Sequence, residues 1–255
     1  MEPVIKQSIL TRYVKNIWTL ENHDFENADH SLKFFADGCP GLMFSQARSG
    51  VFIGDVELSS FFLYGQTVKP IEITTKGSYK IVVFILHPHV MNTLFGINAN
   101  DLTDTCMDMN QFSAFAKETG RQLMAAGSME EQIKIMEAFI GSLAVASPQD
   151  PLMERATRFI MESKGEKSVR EVQHVFKISE RTFERRFSQH VGITPKLFSK
   201  ICRFDSSIKQ LEKGNYEKLS DIAYENGYSD QSHFVRTFKE FTNTTPREHQ
   251  SKKIK

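Results

Sequence analysis

Apolar residues follow two different rhythms along this chain of 255 residues. Between residues 32 and 86 they come in short runs: Leu32–Phe35, Leu42–Phe44, Val51–Ile53, Val56–Tyr64, Val68–Ile73 and Tyr79–Leu86. Turn residues cut the runs apart, at Asp37-Gly38-Cys39-Pro40-Gly41, Gly54-Asp55, Gly65 and Lys76-Gly77. Short β-rich runs repeating at about ten-residue intervals predict a small barrel or sandwich. Ile81–Leu86 has no polar alternation, which predicts a strand buried on both faces, and Pro88 closes it.

From about residue 90 the spacing changes to threes and fours. Met91, Leu94 and Phe95 suit a short amphipathic helix, as do Phe112, Phe115 and Ala116. Ser128-Met129-Glu130-Glu131 has the form of a capping box, in which Ser and the Glu three residues later satisfy unpaired helix N–H groups. Ile133, Met136, Ile140 and Leu143 follow as a narrow stripe, widened by Ile135 and Phe139. The stripe is too short to specify a coiled coil, so packing on the barrel is the expectation and a homodimer seam the alternative.

Ala146-Ser147-Pro148-Gln149-Asp150-Pro151 reads as a linker. Beyond it Leu152, Ala156, Phe159 and Ile160 mark a helix ended by Lys164-Gly165. Ser168-Val169-Arg170-Glu171 is a second capping box, opening a helix with Val172, Val175 and Phe176 inward. Lys177-Ile178 turns, and Ser179 is expected to cap a helix that buries Phe183 and Phe187. Thr194-Pro195 is a strong start for a long helix carrying Leu197, Ile201, Phe204, Ile208 and Leu211, ended by Lys213-Gly214. A second copy follows. Phe183, Arg185, Phe187, Thr194 and Pro195 recur 51 residues later as Phe234, Arg236, Phe238, Thr245 and Pro246. Val169, Val172 and Ser179 recur 50 later as Leu219, Ile222 and Ser229, so one extra residue enters the second copy before its last helix. Ser229 is expected to cap that helix, with Phe234, Phe238 and Phe241 on its apolar back. Two helix-turn-helix units joined by one helix result.

Charge sharpens this division. Residues 151–255 hold 21 Lys+Arg against 14 Asp+Glu, whereas residues 1–150 hold 11 against 17. Only the C-terminal half is suited to a polyanion. The longest apolar run, Ile81–Leu86, has six residues against the roughly 20 needed to span a bilayer, and no secretory leader is evident. Three scattered cysteines, Cys39, Cys106 and Cys202, fit a reducing cytoplasm better than a disulfide scaffold or zinc knuckle.

Catalytic signals are weak. His87-Pro88-His89 resembles the His-x-His of metal-binding cupin barrels, yet the next acidic residue is Asp101. A metal needs three or four ligands, so a strand end punctuated by Pro is expected. Asp37-Gly38-Cys39-Pro40 presents a thiol with no base near it in sequence, and a turn is expected. Neither a P-loop, a dinucleotide-binding glycine pattern nor a nucleophile elbow occurs. No catalytic residue, metal or cofactor is expected.

Ile222–Lys239, closed by Thr245-Pro246-Arg247-Glu248, resembles the signature of AraC-family transcriptional regulators. The resemblance covers about residues 152–249 and is tightest in the second unit. Gln173 stands where the family usually has a small Ala, and Lys177 and Asn243 stand where Gly is common. Residues 13–18, Phe35–Phe44 and Gly65-Gln66 resemble the β-rich N-terminal domain of many bacterial regulators, which implies a sensory role. By position the resemblance implies Arg181, Glu184 and Arg185 as base readers of the first unit. Gln231, Ser232 and Arg236 take that role in the second, with Val235 set against a thymine methyl. Arg186, Lys196, Lys200, Lys239 and Arg247 are the phosphate candidates.

The expectation is an α+β chain: residues 1–146 a small β-barrel or sandwich with trailing helices, residues 152–255 two helix-turn-helix units on a linker helix. Its expected partner is double-stranded DNA, read as an asymmetric site in two major-groove segments ~34 Å apart. The resemblance implies activation through RNA polymerase and a small-molecule effector for the first domain; the cysteines and the short apolar runs imply a cytoplasmic location. The rivals are an enzyme fused to a DNA-binding module, its barrel using His87 and His89 to bind a metal, and a ligand-independent regulator whose first half only dimerises.

Overall fold

The structure, a computed structural model, describes residues 10–23, 28–146 and 150–253. Ser147-Pro148-Gln149 of the expected linker lies outside them.

Two antiparallel sheets form the N-terminal domain. The larger has the order β1-β8-β3-β6-β9, from Val14–Asn22 (β1), Tyr79–Leu86 (β8), Gly41–Ala47 (β3), Phe61–Tyr64 (β6) and Cys106–Asp108 (β9). The smaller has the order β2-β7-β4-β5, from Asp29–Phe34 (β2), Ile71–Lys76 (β7), Phe52–Ile53 (β4) and Val56–Glu57 (β5). Tyr79–Leu86 lies at the centre of the packing. Its Val82, Phe84 and Leu86 pack on one side with Leu42, Phe44, Phe61 and Leu63. Its Ile81, Val83 and Ile85 pack on the other side with Met43, Phe62 and Ile73. The unbroken apolar run therefore marks a strand covered on both faces.

Helices cover the first of those faces: α1 (Val90–Phe95), α2 (Met109–Phe112), α3 (Ala114–Ala125) and α4 (Met129–Ala146). The stripe on α4 is part of this core, with Met136, Phe139 and Ile140 buried and Ile133 and Leu143 packed against them. Fully burying one such side chain contributes about 1.5–3 kcal/mol, which settles the stripe as a packing face.

Strand expectations change in several places: Cys106–Asp108 is a strand where none was expected, and the run expected at Val68–Ile73 is a strand at Ile71–Lys76. Val56–Tyr64 is two strands, because Leu58 donates its N–H back to Val51 O at 2.8 Å and closes a hairpin there. Val14–Asn22, where no strand was expected, pairs along its length with β8.

The C-terminal domain is helical: α5 (Pro151–Glu162), α6 (Val169–Phe176), α7 (Glu180–Val191), α8 (Pro195–Lys213), α9 (Leu219–Glu225), α10 (Gln231–Thr242) and α11 (Pro246–Lys253). One core runs through both units, built on Phe183, Phe187, Phe198, Phe204, Phe234, Phe238 and Phe241. Ala36 of the N-terminal domain is buried in the same cluster. No helix among the described residues is long and apolar enough to cross a membrane.

Candidate nucleic-acid interface and interdomain cavity

Each unit presents its last helix in the same way. In the first, the Ser168 hydroxyl accepts from Glu171 N–H at 3.2 Å while the Glu171 carboxylate accepts from Ser168 N–H at 2.8 Å, which fixes the start of α6. Lys177, in the left-handed region at φ 50°, ends it and turns the chain into α7. Phe183, Phe187 and Val191 anchor α7 in the core, leaving Arg181, Glu184 and Arg185 exposed on its outer side. Ser179 stands at the expected N-cap position, but its hydroxyl bonds Thr182 Oγ1 at 2.9 Å and no backbone N–H.

The second unit repeats the geometry. Gly227, the counterpart of Lys177 at the offset of 50, has φ 68°. Phe234, Phe238 and Phe241 anchor α10; Gln231, Ser232 and Arg236 are exposed, and Val235 is half-buried against the core. The cap differs from expectation. Asp230 is the N-cap, its carboxylate accepting from His233 N–H at 2.7 Å. Ser229 sits one residue too early, because the extra residue of this copy lengthens the turn, and its hydroxyl lies 3.2 Å from both Asp230 Oδ2 and His233 Nδ1.

Helix α8 spaces the two. Its 19 residues extend about 28 Å at the α-helical rise. Thr194 caps it, accepting from Leu197 N–H at 3.2 Å. Phe198, Ile201, Phe204, Ile208 and Leu211 are buried, with Leu197 of the expected stripe only partly so. Arg203, midway along, donates to Gly165 O at 2.9 Å and lies 5.8 Å over the Tyr228 ring, touching both units at once.

Among the phosphate candidates, Lys196, Lys239 and Arg247 are exposed. Lys200 pairs with Glu240 at 2.7 Å and lies 5.6 Å over the Phe241 ring. Arg186 donates to Asp150 at 2.6 Å, and the same carboxylate lies 3.2 Å from His190 Nε2. Burial alone would raise the Asp150 carboxyl, but the bonds from Arg186 and Met153 N–H and the charge of His190 hold it below the usual value.

The N-terminal domain touches both units. On the first, α1 and the short turn Ala99–Leu102 pack against α7, and the Thr103 hydroxyl donates to Gly192 O at 2.6 Å. Arg12 adds an ion pair with Glu154 at 2.5 Å. His87 and His89 stack at 6.0 Å, and burial, with His87 beside it, lowers His89 to about 4. Among the described residues no group of three or more His, Cys, Asp or Glu is placed to hold a metal ion.

Against the second unit the contact borders a half-open cavity of about 1060 Å³. Trp18, Phe34, Phe62, Tyr64 and Ile85 line it from the sheets, and Asp205, Ile208 and Glu212 from α8. Thr242, Asn243, Thr244 and His249 complete it from α10, α11 and the turn between them. Asp37 lines it too; burial raises its carboxyl to about 6 although Lys15 opposes this. Cys39, behind it, lies 3.2 Å from Lys15 Nζ, and burial together with Asp37 pushes its thiol up to about 12. Cys39 is thus a buried thiol, the opposite of an activated nucleophile. Sequence reasoning found the Asp37 turn but missed the cavity, whose walls come from strands and helices up to 231 positions apart and share no local pattern.

Residues 172–252 match the family described as a helix-turn-helix domain. Over 77 residues the chain is 35% identical to the HTH-type transcriptional activator RhaS of Enterobacter sp. (strain 638) and 32% identical to RhaS of Escherichia coli O139:H28. Residues 172–252 are an AraC-type helix-turn-helix domain. The RhaS matches take in 30% of this chain and 27% of each relative, so the chain spans about a quarter of the length of the curated relatives it matches. Residues 7–108 match a domain of unknown function, DUF6597. Among solved structures, ToxT from Vibrio cholerae has a TM-score of 0.48 at 14% identity, covering 91% of this chain and 97% of its own. The C-terminal domain of AraT from Geobacillus stearothermophilus has a TM-score of 0.38 at 21% identity, covering 42% and 88%.

The AraC-type domain bears its departures from the family pattern at readable positions. Lys177 and Asn243, where Gly is common, both hold left-handed backbone, at φ 50° and 57°. Asn tolerates that region well and Lys poorly. Gln173, in the place of a small Ala, has its Nε2 buried with no hydrogen-bond partner.

Proposed function

We propose that the chain is a sequence-specific DNA-binding transcription regulator of the cytoplasm, with residues 1–146 as the sensory part and residues 152–255 as the DNA-binding part. The observation that carries this reading is the duplicated presentation of α7 and α10, each anchored by phenylalanines and exposing polar and cationic residues outward. Arg181, Glu184 and Arg185 read one major-groove segment; Gln231, Ser232 and Arg236 read the next, with Val235 at a thymine methyl. Lys196, Lys239 and Arg247 hold phosphates. Lys200 and Arg186 join them only by exchanging Glu240 and Asp150 for phosphate.

The name of the RhaS relatives, transcriptional activators, supports activation over repression; contact with RNA polymerase is the route this reading takes. In this reading the chain binds DNA and catalyses nothing. The cavity receives an effector, and because its walls include α8 and the turn after α10, occupancy bears on the second unit directly.

Selection of bound sites from random DNA tests the reading. Arg236→Ala and Arg181→Ala should each cost about 1–3 kcal/mol on the selected site and little on unrelated DNA at the same salt. Equal losses on both DNAs would make these residues phosphate contacts and remove the case for base reading.

A further inference from the structure

The interdomain cavity has a chemical character that DNA binding does not use. Trp18, Phe34, Phe35, Phe62 and Tyr64 face one space. Aromatic faces attract a cation held within about 6 Å of the ring centroid. Five carboxylates, from Asp37, Glu72, Asp104, Asp205 and Glu212, line the same space against two lysines, Lys33 and Lys209. Both lysines are engaged, Lys209 with Asp205 at 2.6 Å and Lys33 with Glu72 at 3.8 Å. Asp104 is turned to the backbone, accepting from Val68 N–H at 2.7 Å and Lys69 N–H at 3.1 Å. Where the two domains meet, Asp37 accepts from Cys39 N–H at 2.9 Å and Glu212 lies 3.3 Å from His249. Lys15, behind the lining, acts on Asp37 and Asp205 as well as on Cys39, so Asp37, Asp205 and Glu212 together outnumber Lys15 and Lys209 by one negative group.

The geometry points to a receptor site for an organic cation with an aromatic or otherwise apolar body, its charge lodged at the end formed by Asp37, Asp205 and Glu212. The volume, about 1060 Å³, suits a drug-sized molecule rather than a metal or a small inorganic ion. An organic anion of the same shape meets like charge at that end and ring faces of the wrong sign, so the site discriminates by repulsion as well as by attraction. This inference rests on the N-terminal domain being the signal receiver.

Trp18, the single tryptophan of the chain, lines the cavity and reports on it without a label. The probes are tetraphenylphosphonium and tetraphenylborate, nearly equal in size and shape and opposite in charge. Titrated into the full chain, tetraphenylphosphonium should change Trp18 emission saturably, with a Kd at least about tenfold below that of tetraphenylborate. Asp37→Asn keeps the acceptor for Cys39 N–H and should weaken the cation by about fivefold or more; Glu212→Gln provides the same test should the first variant fold poorly. Equal or tighter binding of tetraphenylborate, no saturable response to the cation, or an unchanged preference in both variants would overturn the inference. A separate arm measures affinity for a selected DNA site with and without the cation. A cation that binds and leaves DNA affinity unchanged keeps the site but overturns its role as a receptor. A chain that selects no DNA sequence fails as a regulator whatever the cavity binds.

Discussion

Gly165 and Gly214 have nearly the same backbone conformation, φ 72° and 71°, in very different surroundings. A Cβ added at Gly214 meets nothing within 4 Å, whereas one added at Gly165 would lie 1.9 Å from Ser199 O, on α8. Gly→Ala at both sites pays the left-handed cost of about 1–2 kcal/mol. A smaller unfolded-state entropy, worth about 0.4–1 kcal/mol, offsets part of it. Gly214→Ala should therefore lose about 1 kcal/mol. At Gly165 the carbonyl and the turn must also move apart by more than an ångström, and overpacking of this kind adds about 1–3 kcal/mol. The same movement stretches the bond from Arg203 to Gly165 O, whose donor already has a buried Nε without a partner. Gly165→Ala should lose about 2–4 kcal/mol in all. Urea unfolding followed by helical circular dichroism measures both variants under one condition. Equal losses would refute the reasoning, because the wall at Ser199 would then contribute nothing.

Other variants probe the first unit and its anchor. Lys177→Gly should stabilise the chain by about 0.5–1 kcal/mol, since its left-handed counterpart in the second unit is already Gly227, and Gln173→Ala should not destabilise it, since it removes a buried unpaired amide; the same urea experiment checks both. Asp150→Asn keeps the N-cap but loses the charge that holds Arg186 and His190, for a cost of about 1–2 kcal/mol at neutral pH. Because the Asp150 carboxyl is lowered in the folded chain, its contribution is complete above the unfolded value of 3.8 and is lost as pH falls through the lower folded value. The gap between parent and variant in a series of unfolding curves should thus close only below about pH 4; a gap that closes at a higher pH would refute its assignment to the Asp150 carboxylate.

The C-terminal domain was legible because its information is local. Phenylalanines at spacings of three and four, a Thr-Pro start and a repeat at 51 residues place α7, α8 and α10 without reference to anything distant. Errors there were small: Asp230 took the cap from its neighbour Ser229, and Val175, expected inward, is exposed. The N-terminal domain was harder. Val14–Asn22 carries Lys15, Asn16 and Glu21 among its apolar residues and shows no clean alternation, because only Val14 and Ile17 are fully buried and Trp18 faces the cavity. Its identity as a strand comes from β8, whose paired residues lie 57 to 72 positions later. The cavity was illegible for the same reason, and so was the ion pair that engages Arg186, whose partner Asp150 stood in the expected linker.

Arg203 ties the turn at Gly165 to the ring of Tyr228, and under the proposed DNA-binding reading that small knot bears on how a target can evolve. Two recognition elements on a slack tether would accept binding segments that drift apart, trading register for freedom. Here the units share one core and one arginine, so their separation belongs to the protein alone. Substituted bases weaken such a target one contact at a time. A single inserted base pair between the segments turns one about 34–36° away from the helix that should read it, and costs a whole unit at once. The lineage of a site recognised by this chain is therefore free to change its letters and held to its length.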